Sequence, residues 1–145
     1  MNVDVLTEIV VDRPSSRVSE YAADPDHAPL WYENIKAVEW KTSPPVQVGS
    51  QIAFVAHFLG RRMAYTYEVV AFMPGQQLVM RTSEGPFPME TTYTWEAVDS
   101  RRTRMTLRNR GTPTGFSRWA APFMASAMRR ANRKDLSHLK RLLER

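Results

Sequence analysis

Between Gln51 and Arg110 apolar and polar residues take turns almost without a break. That is the two-residue period of strands with one buried face. Interruptions at Gly60, Pro74-Gly75, the Phe87 segment and Asp99-Ser100 divide the run. They predict strands over Gln51–Leu59, Arg62–Phe72, Gln77–Thr82, Met89–Val98 and Arg102–Arg110, each next to its sequence neighbour because the connections are short. Pro74-Gly75 predicts a type II turn, with Pro presetting the first corner and Gly supplying the positive φ of the second. Upstream, Val3–Val11 reads as a strand with Val5, Thr7, Ile9 and Val11 on one face and Asp4 and Glu8 on the other, and Ile35–Thr42 as a further strand ended by Pro44-Pro45.

Helical signals fill the rest. Ser15 to Glu20 resembles a capped helix start, and Asp24-Pro25 breaks the chain before a second short helix carrying His27, Leu30 and Trp31. After a loop at Gly111–Gly115, Pro122 marks a first helical turn or a kink, and the helix then runs to Leu143, about 33 Å at ~1.5 Å per residue. On a helical wheel Met124, Met128, Ala131, Leu139 and Leu142 share a face, with Ala121, Ala125 and Leu143 beside it and Arg129, Arg133, Lys140 and Arg141 opposite. The predicted fold is α+β: a curved seven-stranded antiparallel sheet around one long helix. A single helix cannot fill the hollow of so wide a sheet, so this order of elements implies a pocket.

Charge refines the topology. Residues 1 to 100 carry seven basic and thirteen acidic side chains, whereas residues 101 to 145 carry thirteen basic and two acidic ones. Arg104, Arg108 and Arg110 share the outward face of the last strand with Thr106, and Glu90 and Glu96 share that of the strand before it. If the first strand joins the free edge of the last, Asp4 and Glu8 flank the Arg row from the other side, each opposed pair contributing about 0.2 to 1 kcal/mol. The strand order predicted in this way is 2-3-4-5-6-7-1, and the polarised halves largely neutralise each other.

At 145 residues the chain is expected to form one domain and to remove roughly 70% of its unfolded surface from water. It has no cysteine, hence no disulfide, thiolate nucleophile or Cys-ligated zinc, which fits a reducing cytoplasm. MNVDVLTEIVV lacks a basic n-region and alternates like a strand, so neither signal peptide nor anchor is expected, and no apolar run approaches the ~18 residues of a membrane span. His27, His57 and His138 stand on separate elements without ligand spacing, so no metal or cofactor is expected. No G-x-S-x-G elbow supports a serine nucleophile.

Several residues together resemble the START-like (SRPBCC, Bet v 1-like) superfamily, in particular its polyketide cyclase/dehydrase-type branch. They are Val11-Asp12-Arg13-Pro14, Val18 and Tyr21, Asp24-Pro25 followed by Trp31, Val46-Gln47-Val48-Gly49, and Asp135-Leu136 with Leu139-Lys140. The resemblance spans essentially the whole chain. It implies a helix-grip fold, with two short helices after the first strand, a C-terminal helix over the concave face, and a cavity for lipids, polyketides or similar molecules. It carries no catalytic set onto this sequence.

The candidate lining comes from inward-facing positions: Phe54 and Phe58, Met63, Tyr65 and Tyr67, Met80, Met89, Tyr93 and Trp95, Met105 and Leu107 on strands, and Phe123, Met124 and Met128 on the long helix. Trp31 from the short helices joins this lining, and Phe87 and the Phe116 and Trp119 pair before Pro122 are candidates to roof the mouth. Tyr65, Tyr67 and Tyr93 bring hydroxyls that need partners if buried. Asp135 falls inside the apolar stripe, so its carboxylate is either held by His138 or another donor, or serves the pocket. These four are the candidate catalytic residues. The first expectation is a carrier or sensor of a hydrophobic small molecule, monomeric or homodimeric. The second is a cyclase or dehydratase using cavity hydroxyls on an enolisable substrate. A basic surface for nucleic acid or anionic membrane ranks last, because exposed faces lack interleaved aromatics.

Overall fold

The computed structural model describes residues 3–58, 60–85, 87–112 and 121–145, with the backbone alone at Phe58 and Ala121. The described residues build one antiparallel sheet from β1 (Val3–Val11), β2 (Ile35–Trp40), β3 (Gln51–Phe58), β4 (Arg61–Met73), β5 (Gln77–Glu84), β6 (Met89–Asp99) and β7 (Arg102–Gly111), in the order β1-β7-β6-β5-β4-β3-β2. Helix α1 (Ser15–Ala23), a 3-10 turn at Pro25–His27 and α2 (Ala28–Trp31) follow β1, and α3 (Ala121–Leu143) ends the chain. This is the expected α+β helix-grip, with the strand order that the charge pattern gave. The turn at Pro74-Gly75 has Gly75 at φ 80, as a type II turn requires.

The outward charges account for the closing pair of strands. Arg108 holds Asp4 with two hydrogen bonds, of 2.9 and 2.6 Å, and both Arg81 and Arg110 reach Glu90. Arg104 lies 3.6 Å from Glu96. The pairs are partly exposed and screened by solvent, so each adds little to stability. Their larger effect is on register, since a one-residue slip would turn every Arg inward.

Two local expectations change. The serines do not cap α1: Pro14 occupies the cap in an extended conformation, and its carbonyl accepts from the N–H groups of Arg17 and Val18 at 3.1 and 3.2 Å. Ser19 instead turns back to the Ser16 carbonyl. The buried stripe of α3 is also displaced from the simple wheel. Met124, Met128, Asn132, Asp135, Leu136, Leu139 and Leu143 are buried, while Ala131 and Leu142 are half-buried at its edge. Lys140, placed on the solvent face by the wheel, bends its amine back to the Val10 carbonyl at 3.0 Å and to Glu144. Glu144 also accepts from the Asp12 N–H at 2.7 Å. These bonds pin the end of α3 to the end of β1.

Among the described residues the buried apolar side chains fall into two clusters rather than one. The larger joins α1, α2 and the C-terminal part of α3 to the sheet, around Val11, Trp31, Ile52, Trp95, Met105, Leu107 and Leu139. The smaller gathers Val3, Val5, Met63, Tyr65, Phe87, Met124 and Met128 near the start of α3. A domain of this size ordinarily has one contiguous core. Tyr67 packs against both clusters, and the candidate site draws its walls from both.

Candidate functional site

A cavity of about 140 Å³ lies between the sheet and α3. The strands supply inward positions: Phe54 and Ala56 from β3, Met63, Tyr65 and Tyr67 from β4, Met80 from β5, Met89, Thr91 and Tyr93 from β6, and Asn109 from β7. Helix α3 contributes Met124, Met128, Ala131, Asn132 and Asp135, and Phe87, Tyr32, Asn34 and Ile35 complete the described lining. Every second residue of a strand faces inward, which is why residues 63, 65 and 67 and residues 89, 91 and 93 arrive together.

The surface is mostly apolar, with polar groups on the sheet side and a polar region between Tyr32 and α3. There the Tyr32 and Tyr93 hydroxyls lie 2.6 Å apart. Burial pushes both phenols above their ordinary range, so both stay protonated at physiological pH. Two phenols carry two protons and the bond between them uses one. Among the described residues the other proton has no acceptor.

Asp135 stands beside this pair, 2% exposed, and its Oδ1 accepts from the Glu33 backbone N–H at 3.0 Å. Burial raises the carboxyl to about 7, opposed by the Glu33 N–H and reinforced by the Glu33 charge. The carboxyl is therefore close to half-protonated at neutral pH. Its donor is this backbone amide on the α2 side, rather than His138. Asn132, one turn earlier on α3 and 5% exposed, has its amide Nδ2 buried with no partner among the described residues. A buried donor left unpaired costs about 1 to 3 kcal/mol. On the sheet side, the Thr91 hydroxyl donates to Asn109 Oδ1 at 2.8 Å and lies 3.5 Å from the Tyr67 hydroxyl. Tyr65 donates to the Met63 sulfur at 3.1 Å, and burial raises its pKa as well.

The structure brings Phe54, Met63, Tyr65, Tyr67, Met80, Met89, Tyr93, Met124, Met128 and Asp135 to one cavity. Trp31, Trp95, Met105 and Leu107 are instead packed in the larger core cluster, where Trp31 and Trp95 back Tyr93 with ring centroids 5.9 and 6.0 Å away. Phe123 is 78% exposed, because it stands a third of a turn from the buried arc that Met124 heads. The side chain of Phe58, and Phe116 and Trp119 altogether, lie outside the described residues. Tyr32, Asn34, Asn109 and Asn132 were missed. Asn132 was findable, since a polar residue at four positions from both Met128 and Leu136 raises the same question as Asp135. Tyr32 follows a four-residue helix and leaves no periodic trace.

Among the described residues no three His, Asp or Glu side chains converge where they could hold a metal ion. None of the helices there is long and apolar enough to cross a membrane.

The fold has solved counterparts. The Zhui aromatase/cyclase from Streptomyces sp. R1128 superposes with a TM-score of 0.84 at 18% identity, covering 100% of this chain and 95% of that one. A START superfamily protein from Mycobacterium smegmatis gives 0.84 at 13% identity, covering 98% and 97%. The major latex-like protein 151 of Panax ginseng gives 0.70 at 13% identity, covering 95% and 98%. At these identities the likeness is one of fold. No curated protein matches the sequence. The family model described as "Polyketide cyclase / dehydrase and lipid transport" matches residues 2–144, and the chain, with its helix-grip and cavity beneath α3, belongs to that family.

Proposed function

We propose that the protein binds a hydrophobic small molecule in the cavity under α3. The observation that carries this reading is the lining itself, in which five of the chain's eight methionines, Met63, Met80, Met89, Met124 and Met128, surround unfilled space between two halves of a divided core. Met is unbranched and adaptable, and it recurs where a surface must accept more than one shape. At about 140 Å³ the cavity suits a single ring, since an apolar cavity of roughly 150 Å³ holds benzene. Ligands of ordinary size use roughly 300 to 1,000 Å³, so a larger occupant enters by repacking these thioethers.

Titration of isotope-labelled protein with benzene tests the reading. Methyl signals of Met80, Met124 and Met128 should shift together and saturate, while those of exposed Met73 stay in place. If all stay in place up to the solubility limit of benzene, the cavity is not a binding site.

One observation favours a second reading, an enzyme of the cyclase or dehydratase type. Asp135 lines the cavity with a pKa of about 7 beside two phenols, and a carboxyl poised near ambient pH is suited to proton transfer. Its solved counterpart from Streptomyces is described as an aromatase/cyclase. Proton exchange at the α-carbon of a bound ketone, lost in Asp135→Asn while affinity persists, would support it. Equal exchange in both proteins removes it.

A further inference from the structure

The cavity's polar region is unbalanced in a way that its hydrophobic lining does not explain. Asn132 is 5% exposed, lines the cavity, and points an amide Nδ2 into the interior with no acceptor among the described residues. The Tyr32–Tyr93 pair has a proton left over after its mutual bond. Asp135 has one oxygen already engaged by the Glu33 N–H. The Asn109 carbonyl oxygen, a further acceptor in the lining, already accepts from Thr91 at 2.8 Å. The Asn132 amide and the spare phenol proton are thus donors awaiting an acceptor, and a site built this way discriminates against molecules that leave them unpaired.

Resting on the reading of this cavity as a binding site, we infer that Asn132 selects the occupant and that the occupant carries a carbonyl-type oxygen on an apolar body. A carbonyl oxygen has two lone pairs and no proton of its own. It can accept from the Asn132 amide and from the spare phenol proton together. Asn132 lies one helical turn from Asp135, on the same face of α3, so an oxygen held by its amide sits on the polar side of the cavity and the remainder of the molecule meets the methionines. Asn132 thus sets orientation as well as choice.

The test uses cyclohexanone and methylenecyclohexane, which share shape and differ by oxygen for a CH₂ group. In the wild-type protein, cyclohexanone should move the Asn132 side-chain amide proton signals downfield and methylenecyclohexane should not. Asn132→Leu should lower the affinity for cyclohexanone relative to methylenecyclohexane by about tenfold, the size expected when one buried hydrogen bond is lost. Because the amide shift is read on the wild-type protein, it decides the matter even if the variant fails to fold. Binding of both probes with no ketone preference and an unmoved amide overturns the role of Asn132 and leaves the binding cavity standing. If neither probe binds, both readings fall together.

Discussion

The backbone N–H of Glu33 donates to Asp135 Oδ1 across 3.0 Å, tying the segment after α2 to the middle of α3. One hydrogen bond does not offset the cost of burying a charge, so the carboxyl stays protonated well above its ordinary range, to about 7. Proton linkage then fixes a sign. The folded protein keeps a proton that the unfolded chain has released, so this group's contribution to stability is fully present below pH ~4 and is lost as pH rises toward about 7. The loss amounts to roughly 4 kcal/mol at ~1.4 kcal/mol per pKa unit.

Asp135→Asn isolates that term, because the remaining titrations cancel in the difference between the two proteins. An Asn oxygen can still accept from Glu33. Urea unfolding between pH 4.5 and 8.5 should show the variant gaining on the wild type by several kcal/mol as pH increases, levelling off above pH 8. A constant gap across the range would mean that the carboxyl is ionised throughout.

Much of the frame was legible because its causes are local. Alternation over residues 51 to 110 reports which strand face meets the core, and Asp4, Glu90 and Glu96 around the Arg row report which strands are neighbours, an inference confirmed by the Asp4–Arg108 and Glu96–Arg104 pairs. The site was legible in part, for a related reason. Met63, Tyr65, Tyr67 and Tyr93 could be assigned from period alone, but period does not separate a wall of a cavity from a filled interior. Trp95, Met105 and Leu107 have the same inward phase and lie in the larger core cluster without lining the cavity. Tyr32 depends on a partner 61 residues away, and no local pattern encodes such a pairing.

Gly85 approaches the ring of Tyr65 so closely that a Cβ there would lie 2.6 Å from Cδ1. Tyr65 is also held by Phe87, edge to face with ring centroids 6.0 Å apart, and by its bond to the Met63 sulfur. Gly85→Ala must therefore displace a cavity wall, and overpacking of this kind costs about 1 to 3 kcal/mol. The variant should lower the denaturation midpoint and weaken benzene binding together. Unchanged binding would show that the Tyr65 ring yields without reshaping the cavity.

Tyr32→Phe and Tyr93→Phe each strip one hydroxyl from the pair and so remove their mutual bond, at about 1 kcal/mol apiece. The double variant removes both groups at nearly constant shape. Its destabilisation should be smaller than the sum of the two, with a coupling of at least ~1 kcal/mol in a double-mutant cycle. Additive losses would indicate that the two hydroxyls are satisfied independently.

Ala131 is the small residue of α3 that faces the cavity between Met128 and Asp135. Ala131→Leu adds three carbon atoms to a space of about 140 Å³ without adding a polar group. Filling an empty apolar space recovers dispersion contacts, so the ligand-free variant should unfold at an equal or higher urea concentration than the wild type. The same carbons occupy the volume that benzene would take. The variant should thus lose benzene binding, and with it any benzene-dependent rise in melting temperature. Undiminished binding in a stable variant would place the benzene site away from α3.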